Sequence, residues 1–415
     1  MCDHGRMHNP ALPVDVVLFG ATGFTGRLVA EVLLARAQAG AGFRWALAGR
    51  SAERLAAVRQ AIGAPATLPL LTADATDPAA LASLVRQTRL VITTVGPYTR
   101  HGTALATACA EAGTDYVDLC GEPLWMAQMI RKLQAPAATS GARIVFSCGF
   151  DSVPFDLGVL FLQTEAQQRF GQPLQRVQGR VQRLRGGLSG GTAASMLATL
   201  EAIDGNPAAA RLLADPFALT PGWHGPVQPD GGGAHQDRPG GAWSGPFVMA
   251  MINTKNVHRS NALRGHPWGR DFAYDERLVT GRGLGGRVAA ELLAGGTRLQ
   301  NLALAWSPAR ALIGRLALPQ PGQGPSRRQR EAGSYDLLFT GQTVDGRSLA
   351  ATVHGDRDPG YGSTSRMLAE AALCLLQDVP RQATPGGVWT PGAAMGLALL
   401  RRLQAHAGLR FVLKD

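Results

Sequence analysis

The sequence predicts an α/β chain: a doubly wound parallel sheet, followed by a second, α+β domain built on a mostly antiparallel sheet. Three observations predict this. Residues 14–150 alternate short apolar runs with helical patterns, the rhythm of a parallel sheet with helices on both faces. The first apolar run ends in a glycine-rich turn that opens a helix. From about residue 157 the runs lengthen and alternate polar with apolar residues, as half-exposed antiparallel strands do.

Residues 1–13 read as a flexible tail. The first strand, 14–19 (VDVVLF), leads into GATGFTG at 20–26 and a helix over 27–37. Gly20 allows the sharp turn, Gly23 a close approach of backbone to a diphosphate, and Gly26 tight packing of helix on strand. Free N–H groups and the positive dipole end at the helix start then favour phosphate. Gly20, Thr22, Gly23, Phe24, Thr25 and Gly26 are therefore the predicted phosphate contacts, on a GxxGxxG spacing.

The second strand, 43–48, runs into Gly49, Arg50 and Ser51. An NAD site carries an acid at the end of this strand for the ribose 2′-hydroxyl. Here Arg50 stands, a guanidinium suited to a 2′-phosphate, so the pattern favours NADP(H) over NAD(H). Arg50 as a plain surface residue and Ser51 as a helix N-cap are the structural alternatives.

A third strand at 67–71, the loop TADATDP (72–78), a helix at 79–87 and a strand at 89–95 follow. The loop GPYTRHG (96–102), a helix to residue 112, a strand at 116–119, a helix at 123–140 and a sixth strand at 142–147 complete the unit. Six strands in this rhythm fit the 3-2-1-4-5-6 Rossmann order, with ligands at the carboxyl ends of the strands. Asp74 then faces the adenine side, and Gly96 and Pro97 the nicotinamide half. Tyr98, His101, Glu122, Asp151, Ser152 and Asp156 are the polar groups nearest the reacting end. Each also has a structural reading: Asp151 and Ser152 as caps of a helix over 156–168, Tyr98 as a packed aromatic.

Beyond residue 157, a strand is expected at 177–184, then a glycine-rich turn into a helix over 185–202 capped by Ser189 or Thr192. Residues 221–242 are rich in Gly and Pro and offer little to pack. Strands are expected at 247–252, 336–341 and 348–353. A Gly/Asp loop leads into a helix ending at 377, capped by Ser363 or Thr364, and a final helix pair spans 386–408. The predicted domains are 14–155 (dinucleotide-binding, parallel sheet), 156–365 (α+β, the domain for which the resemblance given below implies substrate binding and dimerisation) and 366–415 (C-terminal helices packing back on the first). Residues 287–318 form two apolar helical segments with arginines on one side and Trp306 among leucines. They read as an interfacial pair on a membrane or as helices packed over the sheet.

Composition narrows the function. The 415-residue chain has a net charge of +11, but its lysines are only Lys132, Lys255 and Lys414 and its arginines are scattered, with no basic tract interleaved with aromatics. Nucleic-acid binding is therefore not expected. Five cysteines without CxxC spacing argue against a disulfide framework and a metal site. No signal-peptide h-region and no uninterrupted run of about 18 apolar residues is present, so a cytoplasmic protein without a membrane-spanning helix is expected.

GATGFTG, AGRS, VGPY, ACAEAGTDYVDLCGE (108–122), CGFDSVPFDLG, SGGTAAS, PFVMAMIN, DPGYGSTSRMLAEAALCL and VWTPGAAMG together resemble the saccharopine dehydrogenase-like oxidoreductases, in particular their trans-acting enoyl reductase branch. The resemblance runs from about residue 14 to 411. It implies a Rossmann NADP-binding domain, a second domain for substrate and homodimer formation, and NADPH-dependent reduction of an enoyl thioester made by a polyketide synthase. Membrane association is implied by the wider family. In that chemistry hydride goes to the β-carbon and a proton to the α-carbon, and the thioester oxygen needs donors. Tyr98 is the first expected donor and Ser152 the second, with the backbone around Asp151 or in the 96–98 loop holding the oxyanion. The alternatives are a saccharopine-reductase-like imine or amino-acid oxidoreductase, using arginines such as Arg185, Arg259 and Arg366 for carboxylates, and a non-catalytic NADP-binding protein of lipid surfaces.

Overall fold

The computed structural model of the chain describes residues 12–186, 190–238, 241–305 and 324–414, without the side chains of 192, 193 and 301–305. Ser189, the Thr192 side chain, Trp306 and the second half of the 287–318 pair lie outside the described residues.

The first unit alternates β1 (Val16–Phe19), α1 (Phe24–Gln38), β2 (Trp45–Gly49), α2 (Ala52–Ala61), β3 (Leu70–Thr72), α3 (Pro78–Val85) and β4 (Leu90–Thr93). It continues with α4 (Tyr98–His101), α5 (Thr103–Ala112), β5 (Asp115–Val117), α6 (Pro123–Ser140) and β6 (Arg143–Val145). The sheet order is 3-2-1-4-5-6, all parallel, as the sequence predicts. β1, β2 and β4 are buried along their whole lengths, which is why they read as unbroken apolar runs. A seventh strand, Gly387–Trp389, adds beside β6. Those three residues were expected inside a helix pair; a strand this short carries no readable period.

The second unit contains α7 (Val153–Phe170), β7 (Arg176–Arg185), α8 (Gly190–Ile203), α9 (Pro207–Ala214), β8 (His235–Gln236), β9 (Trp243–Pro246) and α10 (Ala250–Leu263). β10 (Ala273–Gly281), α11 (Gly283–Ala305), α12 (Arg327–Ala332), β11 (Ser334–Gln342), β12 (Ser348–Gly355) and α13 (Thr364–Gln377) follow. After β13 (Gly387–Trp389) come α14 (Pro391–Ala394), α15 (Gly396–His406) and β14 (Leu409–Lys414). The second sheet has the order β14-β12-β11-β7-β10-β9-β8; β7 and β10 pair in parallel and the other pairs are antiparallel.

Three expectations are corrected here. The apolar run at 247–252, read as a strand, starts α10, and the strand lies just before it. α10 continues through Asn253, Lys255, Asn256, His258, Arg259, Ser260 and Asn261, all buried, so hydropathy could not reveal it. The C-terminal stretch serves both sheets, because β14 pairs with β12 while Gly387–Trp389 joins the first sheet. Finally, the 221–242 loop is fastened by side chains. Gln228 accepts from the Tyr274 amide at 2.9 Å, Arg277 donates to the carbonyls of Gly233 and Asp230, and Arg180 Nε donates to Asp237 at 2.7 Å.

Candidate active site

The turn after β1 has the geometry a diphosphate requires. Gly20 has φ +87°, and a Cβ there would lie 2.6 Å from Val95 Cγ2. A Cβ on Gly26 would meet the Gly20 carbonyl at 2.2 Å. Gly23 occupies the N-cap of α1, no side chain caps the helix, and its first turn holds no acid. The N-terminal amides are thus left to an anion, and the residues present fit a dinucleotide diphosphate. Thr22 lies half-buried beside the end of β2, and Thr25 reaches the cavity described below. Phe24 turns toward the second unit, its ring 4.8 Å from Tyr361 edge-on, with the Arg330 guanidinium 5.5 Å from its centre.

Arg50 is exposed at the end of β2. Ser51 caps α2, its Oγ accepting from the Arg54 amide at 3.2 Å. Asp74 closes its own turn, accepting from Thr76 N at 2.8 Å and Thr76 Oγ1 at 2.7 Å. These bonds, with Arg50 nearby, hold its carboxyl below the usual range.

A cavity of about 150 Å³ lies where the carboxyl ends of the first sheet meet α8 and α10. Thr25, Thr94, Gly96, Tyr98, Leu119, Gly121 and Asp151 form one wall. Ala194, Ser195, Met196 and Thr199 of α8, Val248, Met249, Met251 and Ile252 at the start of α10, and Gly360 form the other. Among the described residues no Arg or Lys lines it.

Of the three expected catalytic residues the structure brings Tyr98 and Asp151 to this cavity and leaves Ser152 out of it. Ser152 is fully buried; its Oγ donates to the Asp151 carbonyl at 2.5 Å and accepts from Asn256 Nδ2 at 2.6 Å. Tyr98 presents its ring. Its hydroxyl donates to the Thr93 carbonyl at 3.4 Å and accepts from the Leu119 amide at 3.3 Å, so it faces backbone. Burial, reinforced by Asp118, drives its pKa far up. Pro97 precedes Tyr98 at the N-cap of α4. His101 ends α4 and faces a separate groove against α3 and α5.

Behind the cavity wall lie two buried carboxylates. Glu122 accepts from Tyr98 N at 2.8 Å, Thr99 N at 2.9 Å, the Thr99 hydroxyl, and Ser195 Oγ at 2.7 Å. Asp118 accepts from Cys120 N, Ser147 N and the Tyr116 hydroxyl, yet burial still raises its pKa to about 7. Asp156, pushed up to about 6 by burial, binds the Gly392 amide at 2.7 Å and is structural. Of the arginines considered for carboxylate substrates, Arg259 donates to the carbonyls of Leu219 and Val388 and Arg366 pairs with Asp356, while Arg185 is exposed at the end of β7.

Sequence reasoning missed Ser195, Met196 and Thr199 on α8 and the methionines opening α10. Ser195 ends SGGTAAS, Met196 and Thr199 follow it, and the α10 methionines sit in PFVMAMIN, stretches visible as motifs but without a period that assigns them a wall. Among the described residues no three His, Cys, Asp or Glu side chains gather as a metal site, and Cys109, Cys120, Cys148 and Cys374 are free and buried.

Residues 16–145 match the family described as Saccharopine dehydrogenase NADP binding domain. A Mycobacterium tuberculosis protein provisionally named a trans-acting enoyl reductase is 44% identical over 404 residues, covering 94% of this chain and 95% of its own. The trans-acting enoyl reductase of Mycobacterium ulcerans is 40% identical over 405 residues with the same coverage. Among solved structures, apo saccharopine dehydrogenase (L-Glu forming) from Saccharomyces cerevisiae superposes with a TM-score of 0.54 at 15% identity, covering 97% of this chain and all of the other, which is a likeness of fold.

Proposed function

The chain belongs to the trans-acting enoyl reductase family of NADP(H)-dependent oxidoreductases, and from that premise we propose that it reduces the double bond of a 2-enoyl thioester carried by a polyketide synthase. One observation carries the choice of substrate. The cavity beside the dinucleotide turn is walled by Met196, Met249, Met251, Ile252 and Val248 and, among the described residues, by no cation. Such a lining suits an acyl chain, and it offers nothing to the two or three carboxylates of an amino-acid adduct.

NADPH, when bound, supplies hydride to the β-carbon of the enoyl group. The amides opening α1 hold the diphosphate, Arg50 takes the 2′-phosphate, and the backbone at Gly96 and Pro97 lies along the nicotinamide half. The methionine wall excludes water, which strengthens every polar contact within. Asp151 is the carboxyl group on the cavity wall. It holds and delivers the proton that the α-carbon takes, so the C=C bond becomes a C–C single bond with one hydride and one proton added. Tyr98 is a wall and a loop anchor, its hydroxyl being engaged by Thr93 and Leu119.

We further propose peripheral contact with an anionic membrane through the exposed stripe Leu284, Val288, Leu292 and Leu299 of α11. Among the described residues no helix is long and apolar enough to cross a membrane.

The deciding experiment follows NADPH oxidation by the purified chain with 2-octenoyl-CoA and with a panel of imines and 2-oxo acids plus ammonia. Turnover on the enoyl thioester is expected. Turnover confined to the imine panel overturns the assignment.

A further inference from the structure

α8 is tied toward the first unit at two places, and each tie leads to a turn assigned above to the dinucleotide. At its start, the Gly190 amide donates to the Tyr361 hydroxyl at 2.8 Å. Tyr361 is buried, and its ring meets Phe24, the first residue of α1 in the phosphate turn. One and a half turns along, Ser195 Oγ donates to Glu122 Oε1 at 2.7 Å. The same carboxylate holds the amides of Tyr98 and Thr99, and so fixes the loop that follows Gly96 and Pro97. The Arg100–Glu201 pair farther along α8 is exposed on both sides and adds little.

The cavity-facing side chains of α8 are Ala194, Ser195, Met196 and Thr199. One wall of the acyl cavity is therefore hung from the phosphate turn through Tyr361 and from the nicotinamide loop through Glu122. Glu122 is an acceptor for four groups and lies almost wholly buried, so removing the Ser195 hydroxyl takes away only the contact that reaches α8. A buried carboxylate bond of this kind is among the stronger hydrogen bonds.

We propose that Ser195 is a positioning residue which, with Tyr361, makes the α8 wall of the acyl cavity depend on the two dinucleotide turns, so that NADP(H) and the acyl thioester bind cooperatively. The inference rests on the NADP(H)-linked enoyl reductase reading. Coupling of this type is reciprocal, and typical values are about 5- to 150-fold.

The test uses the full chain with NADP⁺ and octanoyl-CoA, the two products of enoyl reduction, whose reverse reaction is too unfavourable to proceed during the titration. The Kd of octanoyl-CoA is measured by calorimetry with and without saturating NADP⁺. In the unaltered chain NADP⁺ is expected to tighten octanoyl-CoA at least fivefold. Ser195→Ala and Tyr361→Phe are each expected to reduce that factor below twofold while leaving the Kd of NADP⁺ alone within twofold. Ser195→Thr, which keeps the hydroxyl, is expected to restore it. In turnover, Ser195→Ala raises KM for the enoyl thioester more than it lowers kcat. Equal coupling in the unaltered chain and in both variants, or no coupling in the unaltered chain, overturns the inference and leaves the reductase reading standing. Absence of NADP⁺ binding to the unaltered chain overturns both.

Discussion

Asn256 Nδ2 donates to Ser152 Oγ at 2.6 Å, with both residues fully buried, one at the start of α7 and the other in the middle of α10. The bond pins α10, whose first turn walls the cavity, to the end of the first unit. Ser152→Ala is expected to cost about 1–3 kcal/mol of stability, the usual consequence of leaving a buried amide short of a partner. Turnover under native conditions should remain within about twofold. Urea unfolding and initial rates on one preparation check it; a large loss of kcat in a stable variant would return Ser152 to the chemistry.

The proposed chemistry gives the proton to Asp151 rather than to Tyr98, the first donor expected from the sequence. Asp151→Asn is expected to lower kcat more than tenfold, since general acid–base help contributes about 10²–10⁴. Tyr98→Phe removes a hydroxyl already engaged by backbone and is expected to keep kcat within about threefold. Steady-state rates with saturating NADPH discriminate the two. A tenfold loss in Tyr98→Phe alone reverses the assignment.

Much of the first unit is legible in the sequence because its signals are local. Gly20 needs a left-handed backbone, Gly26 leaves no room for a Cβ, and β1, β2 and β4 are buried throughout. The second unit hides its logic in buried polar groups. β10 contains Asp275, Glu276 and Arg277 in succession, all buried, and α10 buries seven polar residues. Their burial is offset by partners far along the chain, such as Arg180 for Asp275 at 2.8 Å and Glu276 for Asn253 at 2.8 Å. No reading of periodicity or charge can supply those partners. The site divides in the same way. The dinucleotide turn belongs to one stretch of sequence, whereas Ser195 and Glu122 meet across 73 positions.

Glu276 gives a pH dependence with a defined sign. Burial raises its pKa to about 8, and Asn253 and Tyr274 are its hydrogen-bond partners. An acid whose folded pKa lies above its unfolded value stabilises fully below the unfolded pKa and loses that contribution as pH rises toward the folded one. The folded chain is therefore expected to lose stability from about pH 4 to pH 8, with Asp156 (about 6) and Asp118 (about 7) acting in the same direction. Glu276→Gln is expected to flatten the slope between pH 6 and 8. The Asn253 amide oxygen has no partner, so a turned Asn253 can accept from the new amide. Urea midpoints measured at each pH read the slope; an unchanged slope in the variant would remove Glu276 as its source.

Arg50 is proposed to set the nucleotide preference through one charge. It stands exposed at the end of β2 where an NAD site needs an acid. Arg50→Asp is expected to weaken NADPH binding at least tenfold, the loss of a charge-assisted bond of about 1.5–3 kcal/mol. NADH binding should improve or stay level. Fluorescence titration of both nucleotides checks it, and an unchanged NADPH affinity would leave the 2′-phosphate to another group.

The exposed face of α11 makes the last expectation. Leu284, Val288, Leu292 and Leu299 are 79%, 55%, 71% and 69% exposed at spacings of four, four and seven, which places them on one side of the helix. Ala290 and Ala294 on the other side are buried, and Leu293 covers Gly245 of β9. Arg282 just before α11, Arg287 and Arg298, together with Glu291, flank the stripe and are exposed, so the face combines apolar area with a net positive charge, as a helix lying on anionic lipid does. Each leucine gains about 1.5–3 kcal/mol on burial. Leu292→Asp with Leu299→Asp is therefore expected to reduce partition onto vesicles of phosphatidylcholine with one quarter phosphatidylglycerol by more than tenfold, read by flotation. No flotation of the unaltered chain, together with a dimer that the double variant dissociates, would assign the stripe to a second copy of the chain.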